Sequence, residues 1–155
     1  MKKSSYILLL IISICSVNVL DAQEIKTKDY NLEKGLSIQG YDPVAYFTES
    51  KAVEGKKEIT SKHNGATYYF SSAKNKTLFD KEPTKYEPAY GGYCAYAMAF
   101  GDKVKIDPET FKIKNDRLFL FYNFRFNNTL KDWNKDEANL FKKAEGEWKK
   151  VISGN

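Results

Sequence analysis

The strongest constraint on the fold of this chain is the pair Asn64-Gly65, which separates two short runs of strand-like composition. The runs cover residues 58–63 and 66–70, and the second is rich in β-branched and aromatic residues. Asn-Gly supplies the two positive-φ positions of a type I′ turn, which joins antiparallel strands through a two-residue loop. The sequence therefore predicts a β-hairpin at this place.

A short helix is predicted directly after this hairpin. Ser71 or Ser72 offers a side-chain oxygen that can cap the first backbone N–H groups of a helix over residues 73–81. Pro83 and Pro88 come next, and we expect both prolines to break the chain after the helix.

A second hairpin is predicted further along the chain. Its strands cover residues 111–113 and 117–122, and residues 114–116 (Lys-Asn-Asp) connect them. This hairpin and the first one are expected to form a small antiparallel sheet.

The segment between the hairpins, residues 89–101, is unusual because it is rich in small and aromatic residues and carries no charge. Gly91-Gly92 indicates a tight turn that leads into a short buried helix. Tyr93 and Tyr96 in this segment are candidate ligand-binding residues for a small ligand or a haem-like cofactor. The alternative is that both tyrosines pack in the core, with hydroxyls that reach water or backbone.

The C-terminal part of the chain is predicted to be helical. The pattern is interrupted near residues 134–136, where Asp136 is a candidate cap for a second helix. The apolar residues that recur at steps close to three, four and seven are Leu130, Trp133, Leu140, Phe141, Ala144, Trp148, Val151 and Ile152. We expect an α+β fold: a small antiparallel sheet built from two β-hairpins, with a short helix and C-terminal amphipathic helices.

The first 22 residues have the order of a secretory signal peptide. Lys2 and Lys3 come before a short apolar run, and small residues end at Ala22. The run is too short for a permanent bilayer span, which needs roughly 18 or more apolar residues. Cys15 raises lipidation as an alternative, but Ile14 before it is not the small residue that lipid attachment needs. We therefore expect cleavage near Ala22 and export to the periplasm or out of the cell.

Removing residues 1–22 leaves 133 of the 155 residues, enough for one domain with a single core. We divide them into a polar lead-in over residues 23–37 and a domain over residues 38–152. Asp42-Pro43 signals a turn or a helix start, because an aspartate before proline accepts backbone hydrogen bonds.

Cleavage of the signal peptide removes two lysines and one aspartate, which changes the formal net charge from +5 to +4, and the remaining charges are scattered. This distribution is typical of a solvated surface and argues against nucleic-acid binding.

After cleavage, Cys94 is the only cysteine and His63 the only histidine, so an intrachain disulfide and a structural zinc site are both excluded. Met98 follows Cys94 by four residues, and on a helix this spacing places both sulfurs on one face. A thiolate and a thioether suit Cu(I), with His63 as a candidate third ligand. The alternative is that Cys94 and Met98 are ordinary core residues. A nucleophilic Cys94–His63 pair needs an orienting third group that the sequence does not supply, so we expect no enzyme activity.

Three blocks resemble the YHS domain family: residues 40–47 (GYDPVAYF), residues 64–86 and residues 91–97 (GGYCAYA). The resemblance extends over residues 38–150, and the three blocks occur in the family's order. It is closest to small exported proteins that carry the first and third blocks.

The better-understood modules of this family accompany metal-transporting pumps, so the resemblance implies a metal-associated role. Their pattern has one cysteine in a DPVC segment and two in a YFCSxxC segment, and the matching positions here are Ala45, Ser71 and Asn75. None of these residues supplies a thiolate, so the family's metal site is absent as such. Two functions stay open: a metal-handling or sensing protein that binds copper through Cys94, and a structural or interaction module, for a protein or small ligand, with a buried and inert Cys94.

Overall fold

The structure of the protein is a computed structural model that describes residues 27–154. The expected signal peptide with Cys15, and residues 23–26 of the expected lead-in, lie outside this range. The strands are β1 (Leu32–Glu33), β2 (Leu36–Ser37), β3 (Lys56–His63), β4 (Ala66–Phe70), β5 (Asp107–Lys114), β6 (Arg117–Phe121), β7 (Asn123–Phe124) and β8 (Asn127–Asn128). The helices are α1 (Ala45–Thr48), α2 (Ala73–Lys81), α3 (Pro83–Tyr86), α4 (Ala95–Met98), α5 (Thr129–Lys135) and α6 (Glu137–Ser153).

The first hairpin, β3–β4, has the predicted turn. Asn64 and Gly65 have φ values of 48° and 80°, as a type I′ turn requires, and His63 pairs with Ala66 across it. The prediction of a hairpin at Asn-Gly is therefore confirmed.

This hairpin belongs to a four-stranded sheet with the order β1-β2-β4-β3. Strand β2 pairs with β4 in parallel through Leu36 and Thr67. Residues 32–37, which the sequence analysis assigned to the polar lead-in, therefore supply two of the four strands.

The second hairpin, β5–β6, turns at Asn115-Asp116, and both residues have positive φ. Lys114 pairs with Arg117, so the turn has two residues rather than the expected three. The two hairpins form separate sheets, whereas the sequence predicted a single sheet built from both. One side of each hairpin has another partner: β2 pairs with β4, and bridges from Pro88 and Cys94 pair with β6.

Helix α2 begins where the sequence predicts, and Ser72 is its cap. The Ser72 hydroxyl oxygen accepts a hydrogen bond from the backbone N–H of Asn75 at 3.2 Å. The break expected at Pro83 is present, since α2 ends at Lys81 and the backbone of Glu82 is not helical. Pro83 then begins α3, because the first helical position needs no backbone N–H.

The C-terminal helices α5 and α6 meet at Asp136, as the interrupted pattern predicts. The Asp136 side chain does not cap α6, which corrects the prediction; its carboxylate accepts from the side-chain amide of Asn139 instead. The apolar stripe faces the core, where Trp133, Ala144 and Trp148 are buried against a cluster that includes Phe119. The α+β class is thus confirmed, with helices packed on the second hairpin.

Candidate functional site

Cys94 lies directly before α4, with non-helical backbone angles (φ −57°, ψ 119°). Its N–H donates to the carbonyl of Val104, and the residue forms a bridge with Leu120 of β6. The side chain has no exposed surface. The sulfur accepts a hydrogen bond from the N–H of Tyr122 at 3.3 Å and lies 3.4 Å from the hydroxyl of Thr129. The thiol is therefore a buried group with its own polar partners.

Met98, the expected second sulfur ligand, is also buried. It packs in the cluster that contains Phe119 and Trp133, whereas Cys94 packs in the cluster that contains Ile38 and Leu120. Cys94 is the N-cap of α4, where its carbonyl accepts from the N–H of Met98 at 2.9 Å, but its ψ of 119° is not helical, so the same-face argument does not hold for its side chain. The two side chains therefore pack in different clusters, and their joint role as metal ligands stays a prediction.

His63, the expected third ligand, lies at the end of β3 with a quarter of its side chain exposed. Its Nε2 atom is 3.8 Å from Oε1 of Glu87 and 3.1 Å from the amide nitrogen of Asn64, and its ring meets Phe79 edge to face. None of these contacts involves Cys94. Within residues 27–154, the His, Cys, Asp and Glu side chains form no group of three that could hold a metal ion.

The two candidate ligand-binding tyrosines have different surroundings. Tyr93 donates its hydroxyl hydrogen to the carbonyl of Tyr30 at 3.3 Å, and Lys103 lies over its ring. Burial raises the pKa of Tyr93, and the nearby Asp29 carboxylate raises it further. Tyr96 is partly buried and packs against Phe100, which is 55% exposed. Tyr93 and Tyr96 therefore contact different neighbouring residues.

The most concentrated polar group in the core is centred on Asp42, which has no exposed surface. Its Oδ1 atom accepts from the N–H groups of Val44 and Ala45 at 2.9 and 3.3 Å, as the Asp-Pro signal predicts. Its Oδ2 atom accepts from the N–H and the hydroxyl of Ser71 at 2.8 and 2.6 Å and from the side-chain amide of Asn75 at 2.8 Å. Five donors thus surround one buried carboxylate.

Ala45, Ser71 and Asn75 are the positions at which the pump-associated modules carry cysteine. The structure brings all three to the Asp42 carboxylate, from α1, the end of β4 and the first turn of α2. A methyl, a hydroxyl and an amide are poor ligands for a soft metal ion, and the carboxylate oxygens are already occupied by donors. The residues present at these positions therefore do not fit the metal that the family resemblance implies.

A second polar cluster, which sequence reasoning missed, is centred on Glu87. Its Oε1 atom accepts from the hydroxyls of Tyr30 and Tyr68 at 2.9 and 3.1 Å, beside the ring of His63. Burial raises the pKa of Tyr68, and the adjacent Glu87 carboxylate adds to this rise. The acceptor lies 57 residues from Tyr30, so no local pattern could have revealed the pairing.

Comparison with known proteins links this geometry to a family. The YHS domain model matches residues 44–90, a stretch that contains Ala45, Ser71 and Asn75 and ends before Cys94. No curated protein and no solved structure is significantly similar to the chain. No helix within residues 27–154 has the length and apolar character needed to cross a membrane. The sequence blocks and the model match agree, and residues 44–90 of the chain match the YHS domain family.

Proposed function

We propose that this protein is an exported, non-catalytic binding module in which Cys94 is a structural core residue. The observation that carries the proposal is the complete burial of the Cys94 thiol between the Tyr122 N–H and the Thr129 hydroxyl. The YHS domain suggests a metal-associated module, and copper binding through Cys94 is the competing hypothesis.

The surroundings of Cys94 favour a structural role over copper binding. A two-coordinate Cu(I) site needs a second soft donor next to the thiolate, and Met98 packs in another cluster. The Tyr122 N–H and the Thr129 hydroxyl are hydrogen-bond partners rather than soft ligands. Copper binding at Cys94 would therefore require the core to open and to lose both contacts.

The same surroundings favour a non-catalytic role. A cysteine nucleophile needs a base in contact, a path for the substrate and donors for the developing oxyanion. Among the described residues, the Cys94 sulfur has one polar side-chain contact, the hydroxyl of Thr129. That hydroxyl donates a hydrogen bond to the carbonyl of Tyr122. A neutral hydroxyl that is already engaged does not generate a thiolate.

Exposed aromatic side chains support a binding role. Phe126 is fully exposed, and Phe100 and Phe124 are exposed by 55% and 36%. Phe126 follows Arg125 in the β7–β8 turn, and both residues have positive φ, which bulky side chains adopt rarely. A strained, exposed aromatic residue contributes nothing to the core, and strain of this kind concentrates at functional surfaces.

The experiment uses the protein recovered after export, with Cys15→Ser introduced so that Cys94 is the only thiol whichever N-terminus is found. Mass spectrometry of its N-terminus checks the expected cleavage near Ala22. A thiol reagent is expected to modify Cys94 only at the rate of unfolding, and Cu(I) in competition with a chelator is expected to leave the melting temperature unchanged. Rapid modification of the native protein, or one equivalent of copper that Cys94→Ser removes, would refute the structural role. Met98→Leu is the matched control, because it removes the thioether and keeps the volume.

A further inference from the structure

We propose that the hydrogen-bonded carboxylate of Asp42 takes the place of a bound metal ion as the internal cross-link of this domain. The proposal is independent of the role of Cys94 and of the partner that the module binds. It starts from the observation that the residues at the family's cysteine positions, Ala45, Ser71 and Asn75, are not ligands for the soft metal ion that cysteines there would bind.

The first step is the number of segments that the Asp42 carboxylate connects. Its donors come from the first turn of α1, from Ser71 after β4 and from Asn75 in the first turn of α2. These segments are up to 33 residues apart in sequence. One side chain thus joins the start of α1 to the segment from Ser71 to Asn75, and linking distant segments is what a structural metal ion does.

The second step is the electrostatic balance of the site. A buried carboxylate is costly unless hydrogen bonds replace the water that it loses. Asp42 has no exposed surface, and five donors lie within 2.6–3.3 Å of its two oxygens. The hydroxyl of Ser71 and the amide of Asn75 supply two of the three donors to Oδ2, so replacing either weakens the hydrogen bonding that compensates the buried carboxylate.

The third step is the proximity of the substituted positions to one another. The amide nitrogen of Asn75 lies 3.3 Å from the hydroxyl oxygen of Ser71, and the N–H of Ala45 donates to the other oxygen of the same carboxylate. The side chains of Ser71 and Asn75 share one carboxylate oxygen, and the backbone of Ala45 lies at the other, so we infer that cysteine side chains at the three positions could reach one metal ion. Cysteines at these three positions would therefore form a thiolate site in the same scaffold.

The experiment compares metal binding by the natural protein and by the triple variant A45C/S71C/N75C, with Cys15→Ser and Cys94→Ser in both. Co²⁺ is the probe, because tetrahedral thiolate coordination gives intense absorption that a hydrogen-bonded site cannot give. The natural protein is expected to show no such bands and no change in melting temperature with Co²⁺ or with a chelator. The triple variant is expected to bind one equivalent. A control with three cysteines at separated positions, S50C/T84C/S153C, is expected to bind at least tenfold more weakly.

Two outcomes would overturn the proposal. One is stoichiometric metal binding by the natural protein that Asp42→Asn abolishes, because the carboxylate would then be a ligand. The other is a triple variant that binds no better than the control, because the three positions would then not converge. The triple variant can be unfolded in the absence of metal, and the double variant S71C/N75C is then measured beside it. Recovery of the circular dichroism of the triple variant on adding Co²⁺ supports the proposal. Failure of both variants to recover refutes it.

Discussion

Glu137, the first residue of α6, ties the C-terminal helix to the second hairpin through two lysines of β5. Its carboxylate lies 2.8 Å from the ammonium group of Lys112 and 3.1 Å from that of Lys114, and it accepts from the indole N–H of Trp133 at 3.1 Å. The hydrogen bond from Lys112 is the main cause that lowers the pKa of Glu137 from 4.5 to about 2, with Lys114 and Trp133 adding to it against the opposing effect of burial. The variant Glu137→Gln keeps an oxygen for Trp133 and removes the charge.

The magnitude follows from this shift in pKa. A decrease from 4.5 to about 2 corresponds to about 3 kcal/mol of folding free energy at neutral pH. The Glu137 side chain is 23% exposed and the lysines are exposed by 31% and 36%, so solvent screening reduces the expected loss to about 1–2 kcal/mol. Because the folded-state pKa is depressed, this stability is present above about pH 4.5 and is lost as the pH falls towards 2.

The assay is chemical denaturation followed by tryptophan fluorescence at pH 7, 4.5 and 2.5. At pH 7 Glu137→Gln is expected to unfold at a lower denaturant concentration than the natural protein, and the difference is expected to shrink at pH 2.5. Glu82→Gln is the matched control, because Glu82 is 67% exposed and 3.9 Å from Lys85, and it is expected to have almost no effect. An undiminished difference at pH 2.5, or an equal loss in the control, would show that the ion pairs of Glu137 are not the source of the stability.

Three further predictions concern backbone conformation. In the β7–β8 turn, the variant R125N/F126G introduces the Asn-Gly pair that two consecutive positive-φ positions favour. It is expected to stabilise the protein by about 1 kcal/mol in denaturant titrations. A loss of stability would show that Phe126 has a packing role. Gly91→Ala is expected to lower stability by about 3 kcal/mol, because the added methyl group would meet the carbonyl oxygen of Asp29 and φ is +61°. Gly146→Ala in α6, where the added methyl group has no atom within 4 Å, is expected to raise stability by about 0.5–1 kcal/mol; thermal melts of this variant and of Gly91→Ala measure both changes.

The elements that could be predicted from the sequence are those specified by neighbouring residues. The Asn64-Gly65 turn, the Ser72 cap and the C-terminal apolar stripe each depend on side chains within a few positions of the backbone that they direct. The parallel pairing of Leu36 with Thr67 could not be predicted, because it joins residues 31 positions apart and no local pattern encodes it. The same holds for the separation of the two hairpins into different sheets.

The geometry around Cys94 could not be predicted from the sequence. Cys94 and Met98 have helical spacing, yet the bond from the Cys94 N–H to Val104 and the bridge to Leu120 keep Cys94 outside α4. The start of a short helix is set by such tertiary contacts rather than by the helical propensity of its residues. An i, i+4 argument therefore requires evidence that both residues lie within the helix.

Two of the sequence blocks that carry the resemblance, residues 40–47 and 91–97, contain buried polar groups, and this bears on where the protein can bind a partner. The carboxylate of Asp42 and the thiol of Cys94 are both fully buried, and both take part in hydrogen bonds with neighbouring segments. A ligand at either place would have to displace contacts that hold the fold together, at a cost of about 1–3 kcal/mol for each buried group left without a partner. The exposed turn that carries Phe126 has no such cost, because its side chain contributes no buried contact. The energetics thus favour binding at the surface of this scaffold over binding at the buried carboxylate or the buried thiol.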